Sequence, residues 1–154
     1  MITKYELFSS SVATLSRDIQ AIERMEMAKF GLKGPHAQCL LTMLRHPLGI
    51  TSAQLCELCT KDKAAISRIV SELENARMIR RESRNGNIYR AALILTEQGR
   101  AAADAVSRRA KLAVEAAGVG LTDAQREVFY QVLNTIAGNL HTICKSGLKE
   151  QTEP

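Results

Sequence analysis

Apolar residues recur through the first segment at alternating spacings of three and four: Tyr5, Phe8, Val12, Leu15, Ile19 and Ile22. That period puts them on one side of a helix, and a stripe of this length needs a partner to cover it. Gly31 and Gly34 break the run. Pro35, with its fixed φ and missing amide hydrogen, suits the first turn of a second helix over roughly residues 35–46, with Cys39, Leu40, Met43 and Leu44 inward. His46-Pro47-Leu48-Gly49 closes it. The next start is a capping box, Thr51-Ser52-Ala53-Gln54, in which the threonine hydroxyl takes the third amide and the glutamine reaches back to the cap. It opens a short helix over about Ser52 to Leu58, predicted to bury Ala53, Leu55 and Leu58 and to leave Ser52 and Gln54 freer. After the turn Cys59-Thr60-Lys61 a longer helix runs to about Ala76. Its apolar face is Ala65, Ile66, Ile69, Val70 and Leu73, and the opposite face of its first turns carries Lys61, Lys63, Ala64, Ser67 and Arg68.

The period then changes. Met78 to Arg81 reads as a short strand leading to Ser83-Arg84-Asn85-Gly86-Asn87, where Asn-Gly is a strong signal for a tight hairpin turn. On the return, Ile88 to Leu95, the side chains of Tyr89, Ala91, Leu93 and Leu95 share one face, so the strand is half buried. Arg84 and Arg90 flank the turn on the exposed ribbon. Thr96-Glu97-Gln98-Gly99 starts an alanine-rich helix reaching about Ala117, and Gly118-Val119-Gly120 interrupts it. Thr122-Asp123-Ala124-Gln125 repeats the capping box and opens a last helix over roughly 123–145, with Phe129, Val132, Leu133, Ile136, Leu140 and Ile143 on one stripe. A polar tail follows from Lys145 to Pro154. The predicted fold is mainly α, with one small antiparallel hairpin.

Charge sharpens this picture. The 154 residues carry 21 Lys and Arg against 16 Asp and Glu, a formal +5. Between Lys61 and Arg90 there are eight basic residues and four acids, so the excess sits on the helix-turn-helix and hairpin. Such a local surplus is the footprint a phosphate backbone requires. Small residues flanked by basic ones near a helix N-terminus let the backbone approach a groove while longer side chains reach bases and phosphates. Other classes are disfavoured. There is no nucleophile elbow, no phosphate-cradling glycine loop and no carboxylate pair spaced for acid–base work, so no enzyme is expected. No apolar run has signal-peptide or membrane-span length, and the expected location is cytoplasmic, with no membrane partner. Four cysteines, Cys39, Cys56, Cys59 and Cys144, are then expected to be reduced thiols.

The segment TSAQLCELCTKDKAAISRIVSELENARMIRR and the LTEQGR that closes the hairpin resemble the MarR (multiple antibiotic resistance regulator) family of winged helix-turn-helix transcription factors, and the resemblance runs from the Tyr5 helix to Cys144. Its most specific part is Lys61 to Val70, which is similar to the family's recognition helix. The resemblance implies a winged helix-turn-helix with a β-hairpin wing and N- and C-terminal dimerisation helices. As one MarR-like domain, the chain would place its DNA-binding lobe at about 35–98, its dimerisation region at about 3–30 and 99–146, and the tail at 147–154. It implies a homodimer on a pseudo-palindromic site in double-stranded DNA, and a pocket for a small-molecule effector. By the match, Ser52, Gln54, Lys61, Lys63, Ala64, Ala65, Ser67 and Arg68 take groove and phosphate positions, and the wing arginine is Arg84 or Arg90. No cofactor or metal is implied. Two departures stand out. Where the family usually ends the recognition helix with glycine this chain has Arg77, which must accept a left-handed backbone or alter the helix end. Where the wing tip often carries Asp-Arg-Arg, it has Asn87, Ile88 and Tyr89, so its wing is expected to grip phosphate more than it reads sequence.

Two rival readings use the same segment. Cys56 and Cys59 form a Cys-x-x-Cys that could act as a redox or metal sensor, although a zinc site wants four ligands and no second such motif exists. The other rival is a winged helix used only for protein contacts, which leaves the small and basic face at Lys61 to Arg68 without a role.

Overall fold

The computed structural model describes residues 3–83, 86 and 90–148. In chain order these form α1 (Lys4–Ala28), α2 (Gly34–Leu44), α3 (Ser52–Cys59), α4 (Lys63–Asn75), β1 (Ile79–Glu82), β2 (Ala92–Leu95), α5 (Glu97–Ala117) and α6 (Asp123–Ser146). The mainly helical fold with a single hairpin is therefore as expected. Both capping boxes are made: the Gln54 amide donates to the Thr51 hydroxyl and the Gln125 amide to the Thr122 hydroxyl, each over 3.2 Å. A third, Thr3 with Glu6, starts α1 and was not foreseen.

Two compact units divide the chain, residues 1–113 and 114–154. The first holds the core. Met27, Leu40, Met43, Ile50, Leu55, Ile66, Leu73, Met78 and Leu93 are fully buried there, drawn from α1, α2, α3, α4 and β2 and from the segments that lead into α3 and β1. Buried Ala102, Ala103 and Val106 add the first half of α5 to it. The strands pair antiparallel from Ile79 opposite Leu95 to Glu82 opposite Ala92. Ile50 and Leu93 exchange both backbone hydrogen bonds, at 3.1 and 2.8 Å, tying the approach to α3 onto the hairpin. The return strand is shorter than Ile88 to Leu95; Ala91, Leu93 and Leu95 are buried as expected, and Tyr89 lies outside the described residues.

Gly99 and Thr96 fasten α5 to this core. A methyl group at Gly99 would overlap the Met78 carbonyl oxygen, so glycine is required by close backbone approach. The Thr96 hydroxyl accepts from the Gly99 amide (3.0 Å) and donates toward the carbonyls of Arg77 (2.7 Å) and Met78 (3.0 Å). Nearby, Glu26 of α1 is buried against Lys29 and Arg109 of α5, at 2.8 and 2.9 Å. The Lys29 ammonium, with help from Arg109, holds the Glu26 carboxyl below the ordinary glutamate value, against burial that pushes it up.

In the second unit α6 buries no residue: Phe129, Val132, Leu133 and Leu140 are each at least 42% exposed. Within the first unit the α1 stripe is likewise open at Tyr5, Phe8, Val12, Leu15 and Ile19. Among the described residues no helix is long and apolar enough to cross a membrane.

Candidate nucleic-acid interface

The eight residues of α3 bury Leu55 and Cys59, four apart on one side, while Ala53 and Leu58 are exposed. This corrects the expectation of Ala53, Leu55 and Leu58 inward. Two turns give too few apolar positions to fix the phase, and Cys59, assigned to the turn, is the last helical residue and packs as a hydrophobe. Thr60 follows in the left-handed region at φ +52°. Its amide donates to the Glu57 carbonyl and the Lys61 amide to that of Cys56, a closure that reverses the chain. Asp62 then caps α4, its carboxylate accepting the Ala65 amide over 2.7 Å.

Ile66, Ile69, Val70 and Leu73 are buried at the three–four spacing of a single helix face. The other side therefore presents Lys63, Ala64, Ser67 and Arg68 to solvent, with Ala65 half-buried at its edge. Neither Lys63 nor Arg68 makes an ion pair with another described residue. The exposed end of this helix is thus a pair of cations, unpaired among the described residues, beside two small side chains.

The remaining sequence-predicted positions are placed differently. Lys61 precedes the helix and is half-buried. With Gln20, Glu23 and Arg24 of α1 and Gly34, Pro35 and Gln38 of α2 it lines a cleft of about 260 Å³. Burial there pushes the Glu23 carboxyl up, an effect the Lys61 charge opposes. Ser52 is half-buried. Gln54 is exposed, but its carbonyl oxygen accepts from the Thr51 amide (3.0 Å) and hydroxyl (3.1 Å), leaving only its NH2 group free. Arg90 is exposed just before β2. Arg84 and the tip residues Asn87, Ile88 and Tyr89 lie outside the described residues.

At the far end of α4, Arg77 takes the left-handed conformation, φ +60°. The Arg77 amide donates to Glu74 and the Met78 amide to Leu73, both at 2.9 Å, so the helix ends as it would with glycine. Arg81 forks onto Glu74 at 2.8 and 3.2 Å, and Arg80 reaches Glu82 at 3.6 Å. These pairs leave less free positive charge along β1 than the sequence count implied.

A further brace went unread in the sequence. Buried His36 accepts the Lys33 amide at Nδ1 (3.0 Å), so its hydrogen sits on Nε2 and donates to Glu72 of α4 over 2.7 Å. Lys33 Nζ reaches the other Glu72 oxygen at 3.0 Å. The Lys33 and His36 hydrogen bonds hold the Glu72 carboxyl below its ordinary value. The available signal was Lys-x-x-His at a helix start, a capping box in which imidazole replaces the carboxylate.

The cysteines pair otherwise than Cys-x-x-Cys predicted. Cys59 meets Cys39 of α2, with sulfurs 3.8 Å apart and both residues buried, while Cys56 is half-buried and Cys144 exposed. The Thr42 hydroxyl lies 3.6 Å from the Cys59 sulfur.

Residues 30–87 match the model of the MarR family. Among curated proteins none matches the chain significantly. Solved structures similar to it include a putative MarR family transcriptional regulator from Listeria monocytogenes in complex with 26mer DNA. That structure has TM-score 0.80 and 20% identity over 92% of this chain and 96% of that one. A MarR protein from Peptoclostridium difficile has TM-score 0.82 and 19% identity, over 92% and 94%. The S. aureus MepR–DNA complex has TM-score 0.76 and 16% identity, over 90% and 97%.

Proposed function

From a central segment of the MarR family and the fold of MarR-family structures over nearly the whole chain, we propose that this protein is a transcription regulator that binds duplex DNA sequence-specifically. One observation carries the reading: the exposed Lys63, Ala64, Ser67 and Arg68 face of α4, unpaired and backed by a fully packed apolar side. A helix held this firmly from behind can enter a major groove as a rigid body. Lys63 and Arg68 supply phosphate and base contacts, and Ala64 and Ser67 admit the backbone. Ala65, Ser52 and the Gln54 NH2 group border that face, and Arg84 and Arg90 grip phosphate from the hairpin.

Lys61 takes a different part in this reading. Half-buried beside Glu23, it steadies the turn and meets at most a phosphate at its edge. The Listeria and S. aureus proteins were solved with DNA, which supports the same use of this fold here. The protein acts as a homodimer through the open stripes of α1 and α6, placing two α4 helices on a pseudo-palindromic site. A small-molecule effector that altered their spacing would regulate it.

Selection of bound duplexes from a random pool tests the proposal. The enriched sequence should be a two-half-site motif whose affinity falls steeply with salt. Arg68→Ala should weaken the selected duplex more than a random one, and Arg84→Ala should weaken both alike. Recovery of no preferred sequence, or equal losses for both variants on both duplexes, would sink it.

A further inference from the structure

Beneath the helix-turn-helix turn lie two thiols that the DNA-binding face does not use. Cys39, on the inner side of α2, and Cys59, the last residue of α3, bring their sulfurs to 3.8 Å. A disulfide is about 2.05 Å long, so closure needs a movement of about 1.8 Å between two helices already in contact. We propose that Cys39 and Cys59 are a peroxide-reactive dithiol that closes to a disulfide joining α2 to the turn in front of α4.

The surroundings assign the roles. Cys59 takes the part of nucleophile: a hydrogen shared with the Cys39 sulfur favours its thiolate, the Thr42 hydroxyl lies 3.6 Å away, and Lys61 and Arg45 add positive charge. Together these hold its pKa below the ordinary thiol value, against burial that raises it. Cys39 is held protonated by the same contact and by burial, as a resolving thiol should be before attack. The approach for a small oxidant is the cleft lined by Gln38 and Lys61. The Gln38 carbonyl is 4.0 Å from the Cys59 sulfur, and Lys61 is two residues farther along the chain.

The chemistry balances with hydrogen peroxide as oxidant. The Cys59 thiolate attacks one peroxide oxygen; the S–O bond forms, the O–O bond breaks, and the departing hydroxide takes a proton to become water. Cys39 sulfur then attacks the Cys59 sulfenic acid; the S–S bond forms, the S–O bond breaks, and the leaving hydroxide takes the Cys39 proton as a second water. Two thiols are oxidised and one peroxide is reduced. The drawn-in turn carries Thr60, Lys61 and the Asp62 cap with it, so α4 changes its presentation. That last consequence rests on the DNA-binding reading.

The test uses the full chain with Cys56→Ser and Cys144→Ser, which leaves the buried pair untouched. The protein is treated with a few equivalents of hydrogen peroxide, quenched with catalase, alkylated in denaturant and digested. The expected result is loss of both free thiols, a peptide pair joined through Cys39 and Cys59, and recovery with dithiothreitol. Full alkylation after peroxide, or oxidation of Cys59 to sulfinic acid without a cross-link, overturns the proposal. Binding of oxidised and reduced protein to a selected duplex separates the two readings. A cross-link in a protein that binds no duplex in either form removes the regulator and keeps the dithiol. Intact duplex binding with no cross-link removes only the dithiol.

Discussion

Arg77 and Thr60 hold backbone conformations in which glycine is the ordinary choice, and they stand just past the ends of α4 and α3. Their Cβ atoms crowd the following carbonyl, a strain of about 1–2 kcal/mol per residue that the surrounding hydrogen bonds must offset. Part of that gain is returned because glycine loses more entropy on folding. Arg77→Gly should therefore raise stability by about 0.5–1 kcal/mol, seen as a higher urea midpoint at unchanged slope; a lower midpoint would mean that the arginine side chain itself holds the helix end. Glu26 gives a second expectation. Its carboxyl is lowered in the folded chain, so its contribution is complete above the ordinary glutamate value of about 4.3 and fades as pH falls through the lowered one. The stability gap between wild type and Glu26→Gln should accordingly be wide at neutral pH and narrow in acid, and a gap independent of pH would contradict the role given to Lys29 and Arg109. At this scale the sequence was readable where chemistry is local. The Thr51 and Thr122 caps and the conflict at Arg77 were legible, whereas the Cys39–Cys59 meeting, the His36–Glu72 bond and the Glu26 cluster were not, because each joins residues more than ten apart through the fold.

Among the elements, α4 is the best determined. Its four buried apolar residues give the phase directly, and the cationic side follows from it. In α3 the same reasoning failed, since a helix of eight residues has no third turn to choose between Leu58 and Cys59 as the inward partner of Leu55. The hairpin was legible in its pairing sense and in Ala91, Leu93 and Leu95 on its return side, but Ala92 between them is buried as well. Its connection to α5 was legible as a helix start at Thr96-Glu97-Gln98-Gly99, but the need for glycine at 99 has a physical reason visible only in the fold. Gly99→Ala should force the start of α5 off the Met78 carbonyl and cost about 2–3 kcal/mol. Thermal unfolding would read this loss, and an unchanged midpoint would show that α5 can shift freely.

For the whole molecule, the pattern of apolar stripes foretold surfaces that the isolated chain leaves open. Tyr5, Phe8, Val12, Leu15 and Ile19 on α1 and Phe129, Val132, Leu133 and Leu140 on α6 are largely exposed. A covering partner would remove them from water, at about 25 cal/mol per Å² of apolar area. Sedimentation at micromolar concentration should give twice the chain mass of 16.9 kDa. Leu133→Asp should return it to the monomer, with helicity retained and the affinity for a two-half-site duplex lost; a wild-type monomer would sink the two-half-site arrangement. The sequence supplied the stripes but not their occupant, because a hydrophobic face does not name what covers it. The clasp of Thr96 and Gly99 has a mechanical consequence too. It makes the first turn of α5 a pivot, and 21 residues at 1.5 Å each form a lever of about 32 Å. A tilt of about five degrees at that pivot swings the far tip by nearly 3 Å. Run in reverse, the same gearing converts a coarse push at the tip into a fine adjustment at the hinge, where the Thr96 hydroxyl holds the carbonyls of Arg77 and Met78 just past the end of α4.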